Sequence, residues 1–317
     1  MIPKASIIIC VYNKPELIKK CVRSILRQKI SEPFEILLVD GGSDKKTLNL
    51  LEKFVVGNNN IRIINNPQRL PEGEGKGKWL GFRKARGEIV GVIDQDNELL
   101  GIDCLKNLLG PFKKDEEIFG VACRLFPDKR DSLTNQCIAL IGTDPFLAYR
   151  SLDGVDIEKV KDDENKDYYV VKLKKDNVLV TGGNCFFYRK KFLDEAGGYI
   201  QDIDNLVALV EKGHNKFAVP KNAFTHHFAI KGFRDFLLKK KKWASEYSPV
   251  KRKFSWMPST KLERKEFIKN LWSIFTIFPL IFEAGYRTLK TKDLRWLFVP
   301  VLKIATALVY ITQKRYL

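Results

Sequence analysis

Two carboxylates one residue apart, Asp94 and Asp96, end an apolar run in "VGVIDQDNEL" (90–99). At the end of a buried strand such a pair can share a divalent cation, or one carboxylate can hold the cation while the other takes a hydroxyl. A hard cation held by few carboxylates is completed by substrate phosphates, which points to a nucleotide diphosphate. A second acid, Asp40, closes the apolar run "FEILLV" in the same way. By itself Asp-x-Asp is also an ordinary acidic turn, so its weight depends on the elements that carry it.

Those elements alternate. "SIIICV" (6–11) is a continuous β-branched run suited to a strand covered on both faces. After it, Leu17, Ile18, Cys21, Val22, Ile25 and Leu26 recur at helical spacing behind Pro15. "FEILLV" (34–39), "KKTLNLLEKFV", "NIRIIN", "KGKWLGFRKA" and "EIVGVI" (88–93) continue strand, helix, strand, helix, strand. This rhythm predicts an α/β fold, a Rossmann-like open and mostly parallel central sheet flanked by helices with right-handed crossovers. Ligands of such sheets bind at the carboxyl ends of the strands, the edge where Asp40 and Asp94 fall.

Beyond Asp96 the rhythm changes. "CLKNLLGPF" reads as a helix, "IFGVACRLF" as a strand, and "DYYVVKLKKDNVLVTGG" as a hairpin turning at 174–177. Helices at 190–196 and 203–212 and a strand "KFAVP" follow, and "GTDPFLAYRSLDG" (142–154) is a long connection or an acceptor loop. Two apolar segments, 271–286 and 294–311, end the chain. Each contains a proline and internal charge, and flanking Lys and Arg with interleaved Trp and Phe fit helices lying in a membrane interface. An amphipathic pair closing a core, a dimer interface and a spanning hairpin are the other readings.

Several of these stretches together resemble family 2 glycosyltransferases, whose fold is GT-A. "ASIIICVYNKPELIKKCVRSILRQ", "EILLVDGGSDKKT" and "KGKWLGFRKARGEIVGVIDQDN" match that family's opening strand with Tyr-Asn, its V-D-x-G-S motif and its run into D-x-D, in order and spacing. "VTGGNCFFYRKKFLDEAGGY" is similar to its G-G-N acceptor segment, and "QDIDNLVALVEKGHNKFAVPKNAFTHH" to its E-D-x-D helix, Val-Pro and His. The resemblance implies a catalytic domain over 1–230, with a nucleotide-sugar-binding half (1–100) and an acceptor-binding half (101–230), followed by a basic and apolar helical extension (231–317). It implies that Tyr12 packs on the nucleotide base, Asp40 hydrogen-bonds it, and Asp94 faces the ribose or metal. Asp96 would bind Mg2+ or Mn2+ on the diphosphate, with His226 near that metal and Lys76 and Lys78 near the diphosphate. The general base falls on Asp202, with Asp204 as the alternative because Gln201 replaces the family's Glu. The ordinary readings are packing for Tyr12, a turn ahead of Gly41, Gly42 and Ser43 for Asp40, and a structural role for His226.

Composition narrows the partners. The 317 residues carry a net charge of +18, with 44% hydrophobic and 30% charged residues, which excludes a disordered or collagen-like chain. From Thr225 onward there are 20 Lys and Arg against 6 Asp and Glu, so most of the excess sits in the last third. The basic and aromatic stretch 231–256 accompanies no nucleic-acid module and leads into the apolar helices, which favours anionic headgroups or a polyprenyl phosphate over nucleic acid. Six scattered cysteines without C-x-x-C spacing, and no signal-like N-terminus, predict a reducing, cytosolic setting. The expectation is an inverting, metal-dependent transferase. It moves a sugar from a UDP- or GDP-sugar to a lipid-linked or polyprenyl phosphate acceptor on the cytoplasmic face of a membrane, and is peripheral or interfacially anchored. A soluble-glycan transferase whose helices serve a homodimer, and a non-catalytic nucleotide-sugar-binding scaffold, are the alternatives.

Overall fold

The computed structural model describes residues 3–66, 77–142, 157, 160–174, 184–200, 202–246, 268, 272, 274 and 276–312. The predicted turn at 175–177, the connection 143–154, Gly182, Gly183, Gln201 and Lys76 lie outside the described residues. The chain divides into two compact units, residues 1–124 with 157–227, and residues 125–156 with 228–317.

The first unit is built on a nine-stranded sheet. Strands β1 (Ala5–Val11), β2 (Phe34–Asp40), β3 (Ile61–Asn65) and β4 (Ile89–Val92) are parallel and stand in the order β3-β2-β1-β4. Helices α1 (Pro15–Leu26), α2 (Lys45–Gly57) and α3 (Gly77–Lys84) are the crossovers. β1 is central, and Ile7, Ile8 and Ile9 are fully buried, as its unbroken apolar run requires. At about 1.5–3 kcal/mol per buried aliphatic side chain, this strand is a principal source of stability. α1 buries Ile18, Cys21, Val22 and Ile25, the i, i+3, i+4, i+7 stripe. α2 starts where the Asp44 carboxylate accepts the Thr47 N–H at 2.8 Å.

Past β4 the sheet is mixed. β10 (Phe186–Arg189) lies antiparallel between β4 and β6 (Gly120–Ala122). Its aromatic rings take the space that side chains would need at two glycines. A Cβ on Gly91 would meet the Phe187 ring at 2.3 Å, and one on Gly120 the Phe186 ring at 2.4 Å. β11 (Lys216–Pro220), β9 (Tyr168–Lys172) and β8 (Asp163–Glu164) complete the sheet. The single strand expected over 118–126 is instead two, because the chain leaves the large sheet after Ala122. β7 (Arg124–Leu125) joins a second sheet of order β5-β12-β7, with β5 (Asn97–Leu99) and β12 (Phe224–His227). Helices α4 (Cys104–Lys114), α6 (Lys190–Glu195) and α7 (Asp202–Glu211) fall where expected.

In the second unit α5 (Leu133–Ile141) and α8 (Phe233–Glu246) share a core with a 3-10 turn (Leu294–Phe298) and α10 (Val299–Thr312). Cys137, Ile138, Phe236, Trp296 and Leu302 form its centre. The Arg295 guanidinium fastens the turn, donating to Asp293 at 2.7 Å, Gln136 at 3.1 Å and the Pro127 carbonyl at 3.2 Å. The apolar segment is helical at residues 272, 274 and 276 and is interrupted at Ile277, whose φ is 56°, before α9 (Phe278–Thr291) starts with Pro279 in its first turn. Leu294–Thr312 is long and apolar enough to cross a membrane by length and composition, with 39% of it buried in the protein.

Candidate active site

The strand order reverses at β1, with β2 and β3 on one side and β4 on the other, so a crevice opens beyond the carboxyl ends of β1 and β4. Three loops meet there. After β1, Tyr12 is followed by Asn13 and Lys14, both left-handed at φ 50° and 57°. Paired non-glycine residues in that region are strained, and strain of this kind gathers at functional sites. The loop is held by the Asn13 N–H donating to Ser43 Oγ at 3.0 Å and the Asp44 N–H to Asn13 Oδ1 at 2.9 Å. After β2, buried Asp40 accepts the Gly42 N–H at 3.0 Å and the Ser43 N–H at 3.2 Å, so it organises the turn that meets the first loop. After β4, Asp94 to Asn97 form a turn closed by the Asn97 N–H and the Asp94 carbonyl at 3.0 Å. Gln95, the residue between the two acids, receives the Tyr12 N–H at 2.9 Å and locks this turn to the end of β1.

Lys78 enters from the start of α3. A Cβ on Gly77 would meet Cys10 Sγ at 2.7 Å, and one on Gly81 would meet Ile8 at 2.5 Å. The two glycines, four apart, therefore let α3 lie directly on β1 and bring Lys78 inward. Lys78 Nζ stands 3.0 Å from Asp202 Oδ1 and 3.4 Å from Asp94 Oδ1, and the Tyr199 hydroxyl donates to the same Asp202 oxygen at 2.7 Å. Asp202, at the start of α7, has a side chain 34% exposed, whereas Asp204 is only 3% exposed. Two residues apart on a helix, they face different directions, and Asp202 is the one that meets Lys78.

The electrostatics separate the acids. Burial pushes the Asp94 carboxyl above the usual range, with Lys78 opposing and Asp202 and Asp96 adding to the rise. Burial also acts on Asp96, but the hydrogen bond and charge of His227 and the charge of Lys14 outweigh it and hold that carboxyl low. Lys78 is buried, yet Asp202 and Asp94 overcome the desolvation and keep it a firm cation. Burial lifts the Cys10 thiol to about 12, so this neighbour is no nucleophile at neutral pH.

Of the two adjacent histidines, His227 is the one that approaches the acidic turn. β12 pairs antiparallel with β5, with His226 opposite Glu98 and His227 opposite Asn97. Consecutive strand residues face opposite sides, so only one can reach the crevice. His227 Nε2 lies 3.5 Å from Asp96 Oδ1, while His226 Nδ1 lies 3.8 Å from Glu98 Oε2. His227 Nδ1 is 2.9 Å from the Asn184 amide nitrogen, and Asn184 in turn accepts from the Asn97 amide. Asn184 thus fixes the ring so that Nε2 is the nitrogen that faces Asp96.

The site thus joins Tyr12, Asp40, Lys78, Asp94, Asp96 and Asp202 of the sequence reading, and adds Gln95, Asn184, Tyr199 and His227. Asn184 and Tyr199 lie inside quoted motifs, at the end of "GGN" and of "GGY", and that was their only signal. Among the described residues no three Asp, Glu, His or Cys side chains form a cluster that could hold a metal ion by themselves. The carboxylates of Asp94 and Asp96 are hard donors of the kind that suits a cation completed by phosphate oxygens, and the softer imidazole of His227 stands 3.5 Å from Asp96.

A sequence profile described as "Glycosyl transferase family 2" matches residues 6–197, more than half of the chain. The chain belongs to this family. It is 24% identical over 301 residues to the uncharacterized protein y4gI of Sinorhizobium fredii, covering 86% of this chain and 31% of that one. It is 31% identical over 98 residues to the GalNAc(5)-diNAcBac-PP-undecaprenol beta-1,3-glucosyltransferase of Campylobacter jejuni, covering 31% of each. The matches span 27–31% of the length of the first curated relatives. Among solved structures, the mannosyltransferase PcManGT of Pyrobaculum calidifontis, in complex with GDP-Man and Mn2+, superposes with a TM-score of 0.56 at 14% identity, covering 97% of this chain and 87% of that one. At that identity the likeness speaks for the fold, which is GT-A.

Proposed function

We propose that this family 2 member is an inverting glycosyltransferase that moves a sugar from a UDP- or GDP-sugar, with Mg2+ or Mn2+, to a lipid-linked or polyprenyl phosphate acceptor at the cytoplasmic face of a membrane. The observation that carries the reading is the meeting of Asp94, Asp96, Lys78, Asp202 and His227 at the switch point between β1 and β4. A crevice beyond parallel strand ends is where such folds seat nucleotides. Tyr12 and Asp40 bound its nucleotide side, and Lys78 is placed to pair with diphosphate oxygens. Asp96, Asp94 and His227 would hold the divalent cation, which supplies charge neutralisation for the departing diphosphate. For a hydroxyl acceptor Asp202 is the base that takes the proton as the oxygen attacks opposite the leaving group, which inverts the anomeric centre; a phosphate acceptor is already anionic and attacks without that step. Tyr199 and Lys78 fix its carboxylate in place.

The acceptor class draws on the undecaprenol-linked name of the Campylobacter relative, and the donor and metal on GDP-Man and Mn2+ in the mannosyltransferase complex. The test is transfer from labelled UDP- and GDP-sugars into a membrane lipid extract with Mg2+ or Mn2+. Asp96→Asn and chelation should each abolish labelling, and Asp202→Asn should slow transfer to a hydroxyl acceptor by about 10²–10⁴-fold. Unchanged labelling by Asp96→Asn would remove the metal assignment. Nucleotide binding without transfer to any lipid would favour the non-catalytic alternative.

A further inference from the structure

Helix α9 is amphipathic in the reverse sense for a water-facing helix. Two of its three ionic residues, Glu283 and Arg287, turn toward α10, where Lys303 Nζ donates to Glu283 Oε2 at 2.9 Å and Arg287 Nε to Glu283 Oε1 at 3.2 Å. The Arg287 guanidinium covers the Trp296 ring at 4.8 Å, and Leu280 and Ala284 are buried on the same side. The outward stripe is apolar, with Phe278 84%, Phe282 76% and Leu289 82% exposed. Leu294, Leu297, Val301 and Leu308 continue it along the 3-10 turn and α10. A helix meeting water places its charges outside and its aromatic residues inside.

We infer that this face of α9 and α10 inserts shallowly into a bilayer containing anionic lipid. The pairing of Glu283 with Lys303 and Arg287 makes insertion feasible, since the charges enter already compensated by one another. Charge selects the occupant. The chain from Thr225 onward holds 20 Lys and Arg against 6 Asp and Glu, and α9 ends in exposed Lys290 and Lys292. A second copy would bring like charge against like, whereas anionic headgroups attract it. Insertion is interfacial because α9 has 14 residues, short of the roughly 20 that span a bilayer, and the longer apolar segment Leu294–Thr312 is held to the protein along Trp296, Leu302, Ala305, Thr306 and Tyr310.

This inference deepens the lipid-acceptor reading and rests on it for purpose. Its test contains neither donor nor acceptor, so the two can fail separately. The full chain is floated with vesicles of phosphatidylcholine alone and with about a third phosphatidylglycerol. The expected result is flotation with the anionic vesicles, lowered about tenfold by Phe282→Glu with Leu289→Glu at an unchanged unfolding temperature. Lys303→Met should weaken flotation, and adding Glu283→Gln should restore it. A chain that stays unbound at both compositions, or a double Glu variant that floats like the parent, overturns the inference. So does a lipid-free dimer that the double Glu variant converts to monomer, which would assign the face to a second copy.

Discussion

Glu35 offers a sharp test of the scaffold beneath the site. At the amino end of β2 its carboxylate is nearly buried and fully engaged. Oε1 accepts the Ser6 hydroxyl at 2.7 Å and the Arg86 N–H at 2.9 Å, and Oε2 accepts Arg62 Nε at 3.1 Å and Nη2 at 2.7 Å. Glu35→Gln keeps the shape but turns one oxygen into a donor. Whichever way the amide lies, two donors on one side face an N–H in place of an oxygen, although Arg86 keeps Ser6 Oγ at 3.1 Å and Arg62 keeps the Lys84 carbonyl at 2.9 Å. At about 1.5–3 kcal/mol per charge-assisted bond, reduced because Arg62 is 30% exposed and water compensates it in part, the net loss is about 3 kcal/mol. That corresponds to a fall of roughly 6–12 °C in Tm for a unit of this size. Burial tends to raise the Glu35 carboxyl, but Ser6, Arg86 and Arg62 outweigh it and hold it below the ordinary range. A depressed folded-state pKa gives stability that is complete above the unfolded value, about 4.3, and lost as pH falls through the folded value. The gap between parent and variant should therefore be full at pH 7 and narrow below about pH 4, as read by thermal unfolding followed by circular dichroism. A shift below about 2 °C at pH 7, or a gap that does not narrow in acid, would refute the reasoning.

Other variants probe the remaining links. Lys78→Met should lower kcat/KM by about 10–100-fold by removing the cation between Asp94 and Asp202, measured in the same transfer assay; an unaltered value would detach Lys78 from the site. His227→Ala should weaken the apparent Mn2+ affinity by about 10–100-fold while His226→Ala does much less, read from activity against Mn2+ concentration; the reverse order would contradict the β12 register. Gly91→Ala should destabilise by about 1–3 kcal/mol, because its Cβ meets the Phe187 ring, and Phe187→Leu should relieve part of that cost in a double-mutant cycle.

The sequence by itself determined the parallel half of the sheet. Unbroken β-branched runs and 3.6-residue stripes are local patterns, and β1, α1, β2, α2, β3, α3 and β4 follow them closely. It also determined that Asp40, Asp94 and Asp96 stand at the strand ends, since Asp40 and Asp94 directly follow an apolar run and Asp96 comes two residues later. What lies across the chain was not legible in the same way. Residue spacing does not show that Lys78 meets Asp202, 124 positions away, because that contact depends on α3 settling onto β1 through Gly77 and Gly81. Nor does it show which of His226 and His227 faces Asp96, because one step of strand register exchanges them. In the C-terminal segments the composition showed apolar residues with stray charges. Only the tertiary structure decided that Glu283, Arg287 and Lys303 pair with one another between the helices while the large apolar side chains face out, because the direction of a side chain is set by the helix it packs against.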